Sequence, residues 1–199
     1  MIVFTAECRF GDAMKITLPT AITLLRIALI PLFAVVFYLP FGWANVAATC
    51  IFVLAGISDW VDGYLARSLQ LESPFGAFLD PVADKLMVVV VIVLLVEAHP
   101  SIYLALPSVV IVAREISISA LREWMAELGR RTTVKVSFIG KIKTVAQMLA
   151  LGFMIYFEPF MGLPIFTTGL VIYYFAALLT ILSMVIYLRA AWPVISENS

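Results

Sequence analysis

Residues 59–85 read DWVDGYLARSLQLESPFGAFLDPVADK and set Asp59, Asp62, Arg67, Asp80 and Asp84 in a chain that is otherwise overwhelmingly apolar. A charged side chain at membrane depth costs several kcal/mol unless it is paired or faces a wet cavity, so such residues mark function by default. Asp59, Asp62, Gly63, Ala66 and Arg67 stand at i, i+3, i+4, i+7 and i+8. At about 100° per residue they share an arc of roughly 140° on one helix face. Gly76, Asp80 and Asp84 follow at i, i+4 and i+8 as a second stripe. The pattern predicts two helices joined by a short polar turn over 68–74, with four carboxylates converging between them. A cation is what neutralises such a group, and ligation by oxygen alone suits magnesium or manganese rather than zinc. Two ions about 4 Å apart would clamp a pyrophosphate and stabilise both oxygens of an in-line displacement. Arg67 can pair bidentately with a phosphate. Gly63 and Gly76 leave room for a ligand against the helix, or alternatively for close helix packing.

Composition decides the solvent. The chain has 199 residues, 63% of them hydrophobic, with thirteen basic and thirteen acidic residues, and its mean hydropathy is +1.08. One hydrocarbon thickness takes about 20 apolar residues in a helix. The expected fold is therefore an all-α integral membrane protein with six transmembrane helices and short loops, leaving no room for a sizeable soluble domain. Zero net charge and the lack of a basic tail argue against a nucleic-acid partner. Cys8 and Cys50 form no disulfide framework. His99, the only histidine, falls in a turn and is read as a bystander.

Outward from the hairpin, span one runs from Thr17 to Leu39, with Pro19 in its first turn and Pro31 inside it. It is too long for a signal peptide, and no small-x-small cleavage site follows. Thr23 and Arg26 share a face near its start and point to a polar site rather than to lipid. Spans two to six are expected over about 44–67, 76–97, 102–125, 144–157 and 165–188, the fifth beginning nearer Val136. Residues 1–16 form an N-terminal extension in which Met14 is a candidate start, 17–190 the catalytic six-helix domain and 191–199 a C-terminal tail. Cytoplasmic loops are enriched in Lys and Arg. The turns FYLPFGW, EAHPS and FEPFMGLP contain none, so both termini and the aspartates are expected on the cytoplasmic side.

Asp59, Asp62, Gly63, Ala66, Arg67, Gly76, Asp80 and Asp84 match without a gap the signature D-x2-D-G-x2-A-R-x8-G-x3-D-x3-D. On these residues the chain resembles the CDP-alcohol phosphotransferases. The resemblance implies a six-helix membrane enzyme, a homodimer, that moves a phosphatidyl or similar group from a CDP-linked donor to an alcohol and releases CMP. It implies that Asp59, Asp62 and Asp80 hold the metal ions, Mg2+ or Mn2+, with Asp84 completing the second site and acting as base for the acceptor hydroxyl. Gly63, Ala66, Arg67 and Gly76, with Thr23 from span one, would line the CDP pocket.

The stretches PTAITLLRIALIP, FGAFLDPVADK, REISISALREWMAELG and IGKIKTVAQM are most similar to bacterial members that join CDP-diacylglycerol to sn-glycerol 3-phosphate in the inner membrane. Thr20 departs from them, since many carry Asn there. The signature itself does not name the acceptor. Arg114 and Arg122 lie two turns apart on span four, and Lys135, Lys141 and Lys143 follow. A phosphorylated acceptor needs such cations, whereas choline or serine does not. Arg130 and Arg131 are read as topology signals. The rival readings are a sibling enzyme using inositol phosphate or phosphatidylglycerol, and an ion-coupled transporter. Against the transporter stand the clustering of the signature at one membrane face and the lack of an inverted repeat.

Overall fold

A computed structural model describes residues 18–69, 74–128, 138–160 and 162–197, with side chains described except at 18–20, 59–69, 74, 75, 77, 78, 80, 138, 139, 141, 193–195 and 197. Among these residues the chain forms six helices, α1 (Leu18–Phe37), α2 (Ala44–Leu69), α3 (Pro74–Ala98), α4 (Ile102–Glu127), α5 (Phe138–Tyr156) and α6 (Ile165–Glu197). The expected all-α architecture is what is found. Two bounds differ from the apolar runs. α5 begins at Phe138, because the lysine-interleaved stretch IGKIK is helical too. α6 runs nine residues beyond 188 to Glu197, past the charged Arg189 at which the apolar pattern stops.

α4 and the Ile165–Trp192 part of α6 are long and apolar enough to cross a membrane, and Ala21–Phe37, Ala44–Ser58 and Ile142–Tyr156 are shorter apolar stretches. Leu25, Val35, Ile57, Val109, Val145 and Val171 are each more than half exposed. An outer surface of this kind is solvated by hydrocarbon, not water. Inside, one core draws Phe33 from α1, Phe52 from α2, Val91 and Leu95 from α3, Ile111 from α4, Leu151 and Met154 from α5 and Tyr173 from α6. Lipid gives no hydrophobic drive for helix association, so close van der Waals contact between small residues must supply it. On α2 the buried face is Ala44, Ala48, Phe52 and Ala55, at i, i+4, i+8 and i+11. α5 and α6 are the most extensively packed pair. They approach so closely that a Cβ on Gly169 would lie 3.0 Å from the Ala150 carbonyl oxygen.

The connections α1–α2, α3–α4 and α5–α6 meet at one end. Tyr38 donates a hydrogen bond to Glu97 Oε2 at 3.0 Å, tying the end of α1 to the end of α3. The His99 ring stacks on Phe157 at 4.8 Å and meets Phe166 edge-on at 4.8 Å. Burial there pushes the imidazole pKa below its ordinary value. Phe157 adopts φ 62°, the left-handed conformation in which α5 ends, and this costs an L residue about 1 kcal/mol. The stacking against His99 offsets it. The histidine thus has a packing role at the end of the molecule remote from the aspartates.

α4 lies along α6 through a ladder of polar contacts. Ser101 caps α4, accepting from the Tyr103 N–H at 3.3 Å. Pro107 inside the helix cannot donate to the carbonyl four residues back, that of Tyr103. The Tyr174 hydroxyl donates to that same oxygen at 2.7 Å. Ser108 Oγ and Tyr173 Oη pair at 3.1 Å, and Arg114 reaches Ser183 deeper along the interface.

Candidate active site

The signature residues all lie on helices. Asp59, Asp62, Gly63, Ala66 and Arg67 lie on α2, Gly76, Asp80 and Asp84 lie on α3, and the two helices pack together. Gly76 is buried. The side chains of Asp59, Asp62, Ala66, Arg67, Asp80 and Lys141, and all of Lys135, lie outside the described residues. Asp84 is exposed and stands in the wall of a cavity of about 500 Å3 bounded by α1, α2, α3 and α5. Arg26 lines the same cavity. Thr23 and Arg26 are 0% and 2% exposed, so both turn inward from α1 rather than toward lipid. The rest of the wall is nearly all apolar. Val53 and Ile57 of α2 and Val145 and Leu149 of α5, all exposed, form the rim where the cavity reaches the side of the bundle.

Among the described side chains no group of three or more His, Cys, Asp or Glu gathers; Asp84 is the one signature aspartate whose side chain is described. Its exposed carboxylate is a hard oxygen donor of the kind a divalent ion takes, so the residue type fits the metal role the motif implies.

A second polar group spans α4 and α5. Lys143 is 4% exposed, and its Nζ donates to Glu115 Oε2 at 2.7 Å. Arg114, 7% exposed, donates from NH1 to the same oxygen at 3.3 Å and from NH2 to Ser183 Oγ at 3.1 Å. Its guanidinium lies 5.6 Å from the Tyr187 ring centre. Among the described residues the buried Arg114 Nε has no hydrogen-bond partner. Arg122 is exposed, lines a cavity of about 760 Å3 between α3 and α4 with Lys85 and Glu123, and adds its field to that of Arg114 at Glu115. Asp84 is in turn an electrostatic neighbour of Lys143. The structure therefore brings Arg114 and Lys143 onto one carboxylate oxygen, with Arg122 farther along α4 and Thr144, beside Lys143, in the wall of the Asp84 cavity. Glu115, Ser183 and Tyr187 carry no signal of this in sequence. Glu115 is followed by Lys143 only 28 residues later, and no periodicity reports a contact between separate helices.

Residues 16–188 match the family model described as CDP-alcohol phosphatidyltransferase. The chain belongs to this family. It is 51% identical to the CDP-diacylglycerol--glycerol-3-phosphate 3-phosphatidyltransferases of Salmonella paratyphi A and Salmonella typhimurium, over 89% of this chain and 96% of each relative. Identity to the Escherichia coli K12 protein of the same description is 49% over the same shares. The matched family region takes in the aspartate hairpin, the basic group and α6 as far as Leu188.

Proposed function

We propose that this protein transfers the phosphatidyl group of CDP-diacylglycerol to sn-glycerol 3-phosphate, forming phosphatidylglycerophosphate and CMP. Its relatives, half identical over nearly their whole length, are described by that reaction. The observation on the molecule that carries the reading is the nearness of two unlike environments. An apolar cavity has Asp84 in its wall, and Thr144, next in sequence to the buried Lys143, lines the same cavity. The donor needs the first and a phosphorylated acceptor the second.

In this reading the donor enters from the bilayer between α2 and α5, an acyl chain against the apolar cavity wall and the CDP head toward the aspartates. Gly63, Ala66, Arg67, Gly76 and Thr23 line the nucleotide pocket. Asp59, Asp62, Asp80 and Asp84 hold magnesium or manganese, two ions by the carboxylate count, which when bound neutralise the pyrophosphate charge. Glycerol 3-phosphate arrives from the cytoplasm, and its phosphate is held by Arg114 and Lys143, with Arg122, Lys135 and Lys141 adding positive charge. Asp84 takes the proton of the acceptor hydroxyl, whose oxygen attacks the lipid-bearing phosphorus. The bond from that phosphorus to the oxygen of the CMP phosphate breaks, and CMP leaves with the electron pair. The enzyme works as a homodimer in a bacterial inner membrane, with both termini on the cytoplasmic side.

The test is direct. Purified protein in detergent is mixed with CDP-diacylglycerol, magnesium and, separately, glycerol 3-phosphate, inositol phosphate, phosphatidylglycerol and serine, and the lipid product is weighed by mass spectrometry. Phosphatidylglycerophosphate from glycerol 3-phosphate alone is expected, and chelation of the metal should abolish it. A product from another acceptor with none from glycerol 3-phosphate would move the protein to a sibling reaction.

A further inference from the structure

Glu115 is a carboxylate set between two buried cations, and the reaction above gives it no task. Adjacent positions on a helix point about 100° apart, yet Arg114 NH1 and Lys143 Nζ both turn to the single oxygen Oε2, at 3.3 and 2.7 Å. The two cations come from α4 and α5, helices that meet α6 more extensively than each other. Buried like charges repel strongly where the dielectric is low, so Arg114 and Lys143 cannot stand side by side unaided. Glu115 is 21% exposed, so the clip is not fully enclosed by protein.

We propose that Glu115 is a positioning residue for the acceptor phosphate, holding Lys143 and Arg114 as one preorganised pair. An ammonium has three donors; one is spent on Glu115, which leaves two aimed from a fixed point. Among the described residues Arg114 likewise keeps its buried Nε–H unspent, with its plane braced by Ser183 and Tyr187. With Glu115 the trio carries one net positive charge rather than two. That is enough to attract a phosphomonoester and little enough to release a lipid product carrying the same phosphate. Glu115 acts through Lys143 and Arg114 and touches no reacting atom. The inference rests on the proposal that the acceptor is phosphorylated.

Its test is steady-state kinetics of Glu115→Gln, Lys143→Met and the double variant in detergent micelles, with both substrates varied. Glu115→Gln keeps the shape and removes the charge. Its KM for glycerol 3-phosphate should rise about tenfold, the worth of one charge-assisted hydrogen bond, with the KM for CDP-diacylglycerol unchanged. The double variant should raise the acceptor KM by clearly less than the product of the two single effects, because Glu115 and Lys143 act as one unit and only the hold on Arg114 is lost in addition. Multiplying effects, or a loss confined to kcat or to the donor KM, would overturn the assignment. Should Glu115→Gln fail to fold, Glu115→Asp serves. It keeps the charge but draws it back from Lys143, so the acceptor KM should rise a few-fold, and an unchanged KM would sink the idea. If wild-type protein does not use glycerol 3-phosphate at all, it is the acceptor reading that fails, separately from the clip.

Discussion

Asp84 belongs to three groups at once: the signature stripe of α3, the wall of the apolar cavity and the electrostatic surroundings of Lys143. In the proposed reaction it joins the donor side to the acceptor side. Asp84→Asn keeps the side-chain size and removes both the proton acceptor and a ligand charge. Turnover should fall by about a hundredfold or more, the usual worth of a positioned base, measured as CMP release at saturating substrates. Wild-type-like turnover would remove Asp84 from the base role. The stripe containing it was readable because helical spacing is a local property, four residues to the next position on the same face. The acidic clip was not. Arg114 stood out as a deep cation, but its partner Glu115 is its own neighbour in sequence, a spacing that ordinarily faces elsewhere, and Lys143 reaches it from another helix.

Helices were legible to the extent that lipid dictates their composition. Long apolar runs announce most of α1, the first half of α4 and most of α6, whereas α5 starts within a lysine-bearing stretch whose cost is met by an ion pair to α4. What holds α4 to α6 was not legible, since it depends on which polar atoms meet across the interface. Pro107 strands the Tyr103 carbonyl, and the Tyr174 hydroxyl supplies the missing donor at 2.7 Å. With hydrocarbon as solvent, a stranded carbonyl has no water to turn to. Tyr174→Phe should therefore destabilise by about 1–2 kcal/mol, although it removes a single oxygen atom from a side chain that is 44% exposed. The thermal midpoint in micelles should drop by roughly 2–8 °C, while the KM values for both substrates stay as they were. An unchanged midpoint would mean that the hydroxyl contributes nothing as a donor.

Across the whole molecule, charge and packing divide the bundle into two unlike ends. At one, Tyr38 binds Glu97 and His99 stacks on Phe157, drawing the turns 38–43, 99–101 and 157–164 together. None of these turns holds a Lys or Arg, so all thirteen basic residues belong to the rest of the chain. The biased distribution of cations sets orientation because basic segments resist translocation. In the proposed reaction the acceptor is a soluble phosphate ester and comes from the side where the basic group lies. The orientation that satisfies both puts the His99 end outside. In a background with Cys8→Ser and Cys50→Ser, Pro40→Cys should react with a membrane-impermeant maleimide in right-side-out vesicles, and Glu127→Cys, at the exposed end of α4, in inside-out vesicles. Each should stay unlabelled in the opposite preparation until detergent is added. The reverse pattern would place the basic group outside, away from any cytoplasmic pool of glycerol phosphate, and the proposed direction of acceptor entry would fall with it.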